Sequence, residues 1–298
     1  AIPTVLTMTV VPILGAGSSM ADYRIGFKWW ALIIAVVFVI SELVCVACVP
    51  ERLVACDEKP GKISDMFKAL FKNDQAMTVV VSIILVYTSL NICGNLVLYF
   101  FRFDVGNEGA YSLFAAVAFA AQVLVMMVIP LLRKRFSKSQ LFISGFIIQI
   151  AGFAVILIMA FAKLYTPQSW YILCLPGILI YLGYGMLNVI MTIFLSDSVD
   201  YGEVMNGTRE ESVIFSMQTF TVKLASGVAV FLAGLVVDWI HLDTAAAVQT
   251  QDTLDALRMW MTIPSVILLI VGIFVFKRFY KLDDTRICLL YTSPSPRD

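Results

Sequence analysis

The stretch AYSLFAAVAFAAQVLVMMVIPLLRKRFSKSQLFISGFIIQIAGFAVILIMAFA, residues 110–162, contains two uncharged apolar runs on either side of a short basic turn. Each run exceeds the roughly 20 residues that an α-helix needs to cross a bilayer. A helix makes such a crossing because it satisfies its own backbone hydrogen bonds, which lipid cannot do. The stretch therefore predicts two transmembrane helices joined by the basic turn at 133–138.

The same alternation of apolar runs and charged clusters continues along the chain. Of its 298 residues, 60% are hydrophobic and 14% are charged, whereas soluble domains have about 45–50% and about 25%. A formal net charge of zero gives no support to nucleic acid as a partner. We predict an all-α polytopic membrane protein embedded in a lipid bilayer. Its eight spans lie near 1–20, 27–49, 76–101, 110–132, 140–162, 170–195, 212–237 and 259–280.

The longest polar interval, residues 50–74, separates a pair of predicted helices from a set of six. This division is the one expected of a twelve-helix protein of two six-helix halves whose first four helices are missing. We therefore predict a fragment. Its parts are the last two helices of the N-terminal half (1–49), a central cytoplasmic loop (50–75), the C-terminal six-helix half (76–285) and an atypical tail interpreted as non-native (286–298).

Lysine and arginine concentrate on one side of the predicted spans, which marks that side as cytoplasmic. The basic side includes the interval 50–74, the turn 133–138 and the end of the last span. The other side holds Arg24, Lys28, Arg102, Lys163 and Arg258. We predict a multi-pass protein of the bacterial cytoplasmic (inner) membrane with a cytoplasmic C-terminus.

Lys223 lies near the middle of the span predicted at 212–237. An ammonium group at that depth costs about 2.5–3.5 kcal/mol, so it normally faces a watery cavity or an acidic partner. The alternative is a lysine that snorkels to the interface, two or three helical turns away. Gln218 and Thr219, one turn earlier, suit a polyhydroxylated or anionic solute. Asn95 and Asn188 on other spans are either ligand contacts or interhelical hydrogen-bonding residues.

A charged segment, SDSVDYGE at 196–203, follows the span predicted at 170–195. Asp197 and Asp200 are three residues apart, so they can face one way and meet a basic group from a neighbouring loop. Such a cluster is either a cytoplasmic latch that opens and closes during transport or an ordinary solvated loop.

Several segments are similar to those of one family of transporters. They are FKNDQ at 71–75, the run at 87–101 with its asparagines and terminal Tyr-Phe-Phe, DSVDYGE at 197–203 and REESVIFSMQTFTVK at 209–223. The chain resembles the glycoside–pentoside–hexuronide:cation symporter family (melibiose permease-like) of the major facilitator superfamily. The resemblance covers residues 1–285 and corresponds to helices five to twelve.

The resemblance implies a secondary active transporter that takes up a sugar or glycoside together with Na⁺, H⁺ or Li⁺. Lys223 matches the family's lysine near the sugar and cation sites, and Gln218, Thr219 and Val222 line the same helix. The matching cytoplasmic gate residues are Asp197, Asp200, Tyr201, Glu203 and Arg209. Asn188 stands where the family has a tryptophan that stacks on the sugar. We expect a monomer without metal or other cofactor, whose coupling cation binds mainly in the missing N-terminal helices.

Two rival functions remain at this point. A transporter of the same architecture for a non-sugar solute, such as a lipid or organic anion, would share these features. A membrane-embedded enzyme or sensor would need a cluster of His, Asp or Cys at one depth. The chain has one histidine and contains no HExxH, GxSxG or P-loop motif, so we expect that it is not an enzyme.

Overall fold

A computed structural model describes residues 10–11, 13–15, 20–48, 71–206, 211–244, 246 and 248–282. Within these ranges there are seven α-helices, each long and apolar enough to cross a membrane. They are α1 (Met20–Cys48), α2 (Asp74–Tyr99), α3 (Ala110–Leu132), α4 (Lys138–Phe161), α5 (Cys174–Asn206), α6 (Glu211–Trp239) and α7 (Gln251–Phe279). Most of the span predicted at 1–20 lies outside the described residues, as do the tail at 286–298 and most of the loop at 50–75.

Two compact units divide the chain, one formed by residues 1–61 and the other by residues 62–298. The first contains α1, whose segment Arg24–Cys48 has the apolar length of a membrane span. The second contains α2 to α7. The six-helix set predicted after the polar interval therefore forms a unit of its own.

In the six-helix unit, α2 and α5 are the central helices. α5 packs against α3 and α4, and α2 packs against α5, α6 and α7, while α7 also contacts α4. A cluster of phenylalanines, with ring centroids 4.5–5.2 Å apart, joins α4, α5 and α7. Its members are Phe142, Phe146, Phe194 and Phe276. The polar side chains of α2 and α5 thus lie on the two helices that contact the largest number of other helices in this unit.

Two glycines of α5 allow the close approach of its neighbours. A Cβ added to Gly183 would lie 2.5 Å from the carbonyl oxygen of Gly145 in α4, and one added to Gly185 would lie 2.7 Å from a Val125 methyl in α3. Small residues at such contacts let membrane helices pack backbone to backbone. By contrast, a Cβ on Gly227 of α6 would meet nothing within 4 Å.

Gly183→Ala is expected to destabilise the six-helix unit by about 1–3 kcal/mol, because the new methyl group must displace the α4 backbone. A fluorescence thermal-unfolding measurement in detergent would show a lower midpoint than that of the original chain. Gly227→Ala adds the same methyl group to open space and should leave the midpoint unchanged. Equal midpoints for the two variants would contradict the close α4–α5 packing.

The predicted boundary of α5 was wrong at its C-terminal end. Hydropathy predicts an end of the span at residue 195 and a loop at 196–203, whereas the helix continues to Asn206. The hydroxyls of Ser196 and Ser198 donate to the carbonyls four residues earlier, at 3.3 and 2.7 Å, and Val199 is buried. The charged segment is therefore a helical extension of a span, because its polar groups are satisfied without breaking the helix.

The predicted start of the last span was also wrong. α7 begins at Gln251, not near residue 259, because the Thr250 side chain accepts a hydrogen bond from the Thr253 amide and caps the helix. Hydropathy missed this first part because it contains Asp252, Asp255 and Arg258. The extension places Arg258 inside a helix and not in a loop.

Candidate functional site

A polar stripe runs along α2 at a spacing of four residues, formed by Tyr87, Asn91, Asn95 and Tyr99. All four side chains are half-buried. Asn91 Nδ2 donates to the Tyr87 carbonyl and Asn95 Nδ2 donates to the Asn91 carbonyl, both at 2.7 Å. Because residues four apart share one helix face, the stripe gives α2 a polar face within a membrane-spanning segment.

Asn188 of α5 joins this stripe. Its Nδ2 donates to the Tyr87 hydroxyl at 2.6 Å, and the Tyr87 ring lies edge-on to Tyr184 of α5, with centroids 5.5 Å apart. Asn188 was predicted from the sequence as a candidate ligand contact, whereas Tyr87 and Tyr184 were not. Tyrosines are common in apolar spans, and nothing in their local pattern separates a hydrogen-bonding pair from ordinary packing residues.

Asn95 lies at a pocket between α2 and α6 of about 350 Å³, shared with Tyr99, Ala233, Gly234 and Asp238. An amide, a phenol and a carboxylate therefore border one concave surface. The amide and the phenol both donate and accept hydrogen bonds and the ionised carboxylate accepts them, so this surface can pair with the hydroxyls of a carbohydrate.

Lys223 lies on the exposed face of α6. The buried stripe of this helix includes Met217, Thr221 and Ala225, and Lys223 is roughly opposite to it at 100° per residue. Thr219 shares the exposed face, while Gln218 and Val222 are half-buried. The residues predicted on α6 are therefore divided, since Thr219 lies on the exposed face with Lys223 while Gln218 and Val222 are partly covered by neighbouring residues.

Counting along the two helices places Lys223 and Tyr87 at a similar depth. Each lies about 18–20 Å from the N-terminal residue of its helix at 1.5 Å per residue. The same count sets Asn95 level with Ala233, and these two residues do share a pocket. The structure thus joins Asn188 to α2 and Asn95 to α6, while no hydrogen bond within the described ranges links Lys223 to either asparagine.

The predicted gate residues gather near the N-terminal ends of α2 and α4. Lys138 Nζ of α4 lies 2.7 Å from Asp197 Oδ2 of α5, and their side chains are only 13% and 10% exposed. Lys138 belongs to the basic turn at 133–138, so Asp197 contacts a basic group from a neighbouring turn. Asp200 and Glu203 both engage other groups, and Arg209 lies outside the described residues.

The segment around Asp197 is also tied to α2. Asn73, which caps α2, donates from Nδ2 to the Ser198 carbonyl at 2.7 Å, and Tyr201 hydrogen-bonds to the Asp74 carboxylate. A Cβ on Gly202 would lie 2.8 Å from Asn73 Nδ2. One end of α5 is thus joined to α2 and α4 by polar contacts.

A buried ion pair at the opposite end of the bundle was missed from the sequence. Arg258 of α7 contacts Asp104 through two bonds, Nε to Oδ2 at 2.8 Å and Nη2 to Oδ1 at 2.5 Å. The Arg258 and Asp104 side chains are 2% and 3% exposed. Arg258 also reaches Asp255 at 2.7 Å, and its guanidinium carbon lies 5.8 Å from the Phe161 ring centroid.

Tyr165 completes this ion-pair network, which we call the Arg258 cluster (Asp104, Tyr165, Asp255 and Arg258). The Tyr165 hydroxyl donates to Asp104 Oδ2 at 2.6 Å. Burial, followed by this hydrogen bond to the carboxylate, raises the pKa of Tyr165, so the hydroxyl keeps its proton. The cluster joins the end of α2, the connection after α4 and the start of α7. A single arginine directly before the apolar run that begins at residue 259 was the available signal.

Comparison with known proteins identifies the family to which the chain belongs. A family model described as "MFS/sugar transport protein" matches residues 1–284. The chain belongs to the MFS/sugar transport protein family. The major facilitator fold and the relation to glycoside–pentoside–hexuronide:cation symporters, both predicted from the segments at 71–75, 87–101, 197–203 and 209–223, are confirmed.

Three curated relatives of the chain carry the names of transporters. An uncharacterized symporter of Bacillus subtilis (strain 168), YjmB, is 24% identical over 94% of this chain and 59% of its own length. The isoprimeverose transporter of Lactiplantibacillus pentosus is 25% identical over 93% and 56%. The raffinose carrier protein of Pediococcus pentosaceus is 24% identical over 91% and 42%. The chain thus spans roughly half the length of these relatives.

Proposed function

We propose that the whole protein is a secondary active transporter that moves a sugar or glycoside by cation-coupled symport. The observation that carries this proposal is the polar set at one depth on otherwise apolar helices: Tyr87 bonded to Asn188, with Lys223 level with them. A helix can cross a membrane without any polar side chain. Polar side chains at this depth therefore indicate a function. Membership of a sugar-transport family and the named sugars of the relatives support a carbohydrate solute.

The chemistry of the site fits a polyhydroxylated solute. Asn95 and Asn188 offer amide groups, Tyr87 and Tyr99 offer phenols, and Lys223 offers a cationic donor, all of which pair with sugar hydroxyls. Gln218, Thr219 and Val222 extend this surface along α6. Asn188 replaces the stacking tryptophan implied by the family resemblance, so the tyrosines of α2 and α5 are the aromatic groups that face a sugar ring.

Alternating access supplies the transport step. In this proposal the two six-helix halves rock about a site near the membrane midplane, and joint binding of solute and cation favours the switch between the two orientations. Na⁺, H⁺ or Li⁺ binds mainly to the N-terminal half. We place the protein as a monomer in the bacterial cytoplasmic membrane, with the Lys- and Arg-rich ends of α4 and α7 in the cytosol, following the positive-inside rule.

Transport in membrane vesicles tests this function. Vesicles containing the whole protein would receive an inward Na⁺ or H⁺ gradient and a labelled solute, in separate assays with raffinose, isoprimeverose and a sulfosugar. Accumulation of at least one sugar that stops when an ionophore collapses the gradient is expected. Movement of a lipid or organic anion with no sugar accumulation would instead assign the protein to a non-sugar solute.

The Lys138–Asp197 pair is proposed to close the cytoplasmic side, together with Asp200, Tyr201, Glu203 and Arg209. Lys138→Glu is expected to lower the initial uptake rate about tenfold, because two adjacent carboxylates repel and favour the open state. The double variant Lys138→Glu with Asp197→Lys restores an ion pair and should recover most of the rate. Lys134→Glu, an exposed position in the same turn, is the matched control and should transport normally. Failure of the double variant to recover, with normal protein levels, would contradict a latch.

A further inference from the structure

A cavity of about 430 Å³ lies between the start of α4 and the end of α7. Its polar lining comes from Lys277, Arg278, Lys281 and Ser139, and its apolar lining includes Ile143 and Phe276. None of the residues that line this cavity is acidic. The cavity is separate from the polar stripe of α2 and from the pocket at Asn95.

The three basic side chains are available to an anion. Lys277, Arg278 and Lys281 are exposed, and no carboxylate in the described part of the chain pairs with Lys277 or Arg278. Lys281 Nζ lies 3.6 Å from Asp74 Oδ2, but both side chains are more than half exposed, so this pair is weak. Three cations within five residues therefore concentrate positive charge on a concave surface whose lining residues include no carboxylate.

The surroundings of the cavity are apolar. Phe276 is buried beneath it, and Ile143 packs against the core. The neighbouring turns of α4 and α7 expose Ile147, Phe274 and Phe279, which are 57%, 65% and 52% exposed. A cationic surface at the ends of two spans, continuous with apolar helix faces, matches a molecule with an anionic head and hydrocarbon chains.

We propose that this cavity is a binding site for the phosphodiester headgroup of an anionic phospholipid. Lys277, Arg278 and Lys281 contact the phosphate, and the Ser139 hydroxyl donates a hydrogen bond to it. The acyl chains lie along the exposed apolar faces of α4 and α7. The bound lipid bridges the ends of these two helices. This site requires only that α4 and α7 cross a membrane, so it does not depend on which solute the protein transports.

Lipid binding by native mass spectrometry tests the proposal. The purified protein in detergent would be titrated with phosphatidylglycerol, and in a parallel series with zwitterionic phosphatidylcholine. The double variant Lys277→Gln with Arg278→Gln is expected to bind phosphatidylglycerol roughly 30-fold more weakly, the loss expected when two cations beside an anionic headgroup are removed. Phosphatidylcholine binding should be weak and should not differ between the proteins.

A matched control separates this site from general surface charge. Lys134→Gln with Arg135→Gln removes two exposed cations on the same side of the bundle, outside the cavity, and should leave phosphatidylglycerol affinity within about twofold of the original. Equal losses in the two double variants would overturn the proposal. A competition experiment with inorganic phosphate tests the alternative ligand. If millimolar phosphate displaces phosphatidylglycerol, the cavity binds a free anion and the lipid proposal is overturned.

Unfolding midpoints measured without added lipid check that the variants are intact. If the double variant at 277 and 278 does not purify, Lys277→Gln is compared with Lys134→Gln, and a loss of roughly fivefold is expected for the former alone. Unchanged affinity in Lys277→Gln would count against the site in the same way.

Discussion

Lys223→Ala in the whole protein is expected to reduce ion-driven sugar accumulation by roughly 100-fold, the loss typical of removing a charged hydrogen-bonding group from a solute. The lysine lies about 18 Å along α6, and within the described ranges no carboxylate pairs with it. An ammonium group at that depth needs water, a solute or an acidic residue elsewhere in the protein. A solute that pairs with this cation would lose its strongest contact in the variant.

Accumulation assays in vesicles, with protein levels measured by immunoblot, would check this result. Lys223→Arg keeps the charge but changes its geometry, so partial activity is expected. Lys134→Ala removes an exposed lysine from the basic turn and should transport normally. Accumulation by Lys223→Ala at the original level would show that the lysine is tolerated in the membrane without contacting the solute.

Asp104→Asn is expected to destabilise the six-helix unit by about 3–5 kcal/mol, because it leaves the buried Arg258 guanidinium without its main counterion. Asparagine has nearly the same size as aspartate, so the loss of stability comes from the missing charge and hydrogen bonds and not from altered packing. The remaining partner, Asp255, has a side chain that is 35% exposed and compensates only in part. The thermal-unfolding midpoint and the yield of monodisperse protein should both fall sharply.

Two further variants separate the Arg258 cluster from surface electrostatics. Glu108→Gln breaks the exposed contact with Arg102, where the atoms are 3.8 Å apart, and should change stability by less than about 1 kcal/mol. The double variant Asp104→Leu with Arg258→Met removes both buried charges and should recover much of the lost stability. An Asp104→Asn midpoint equal to that of Glu108→Gln would contradict a structural role for the cluster.

Much of the architecture could be predicted from the sequence because hydropathy is a local property. The uncharged runs at 110–132 and 140–162 correspond closely to α3 and α4, since lipid requires a continuous apolar helix. The pairing of Asp197 with a basic neighbour also agrees with the charge pattern, because the acidic segment 196–203 lies on the side of the bundle where Lys and Arg concentrate. Predictions failed where charged residues continue a helix, as at the end of α5 and the start of α7, because a hydropathy window treats them as loop.

The amino-acid sequence by itself determined the membrane-spanning helices from 27 onward, the basic side of the bundle, the family and the residues of α6 that merit testing. Tertiary packing was needed to show that Tyr87 bonds to Asn188 and that Arg258 is buried against Asp104. The local composition of a segment determines whether it is apolar enough to cross a bilayer. The partner of a polar side chain depends on which helices pack together, and Asp104 and Arg258 meet across 154 positions of the chain only when α2 and α7 are side by side.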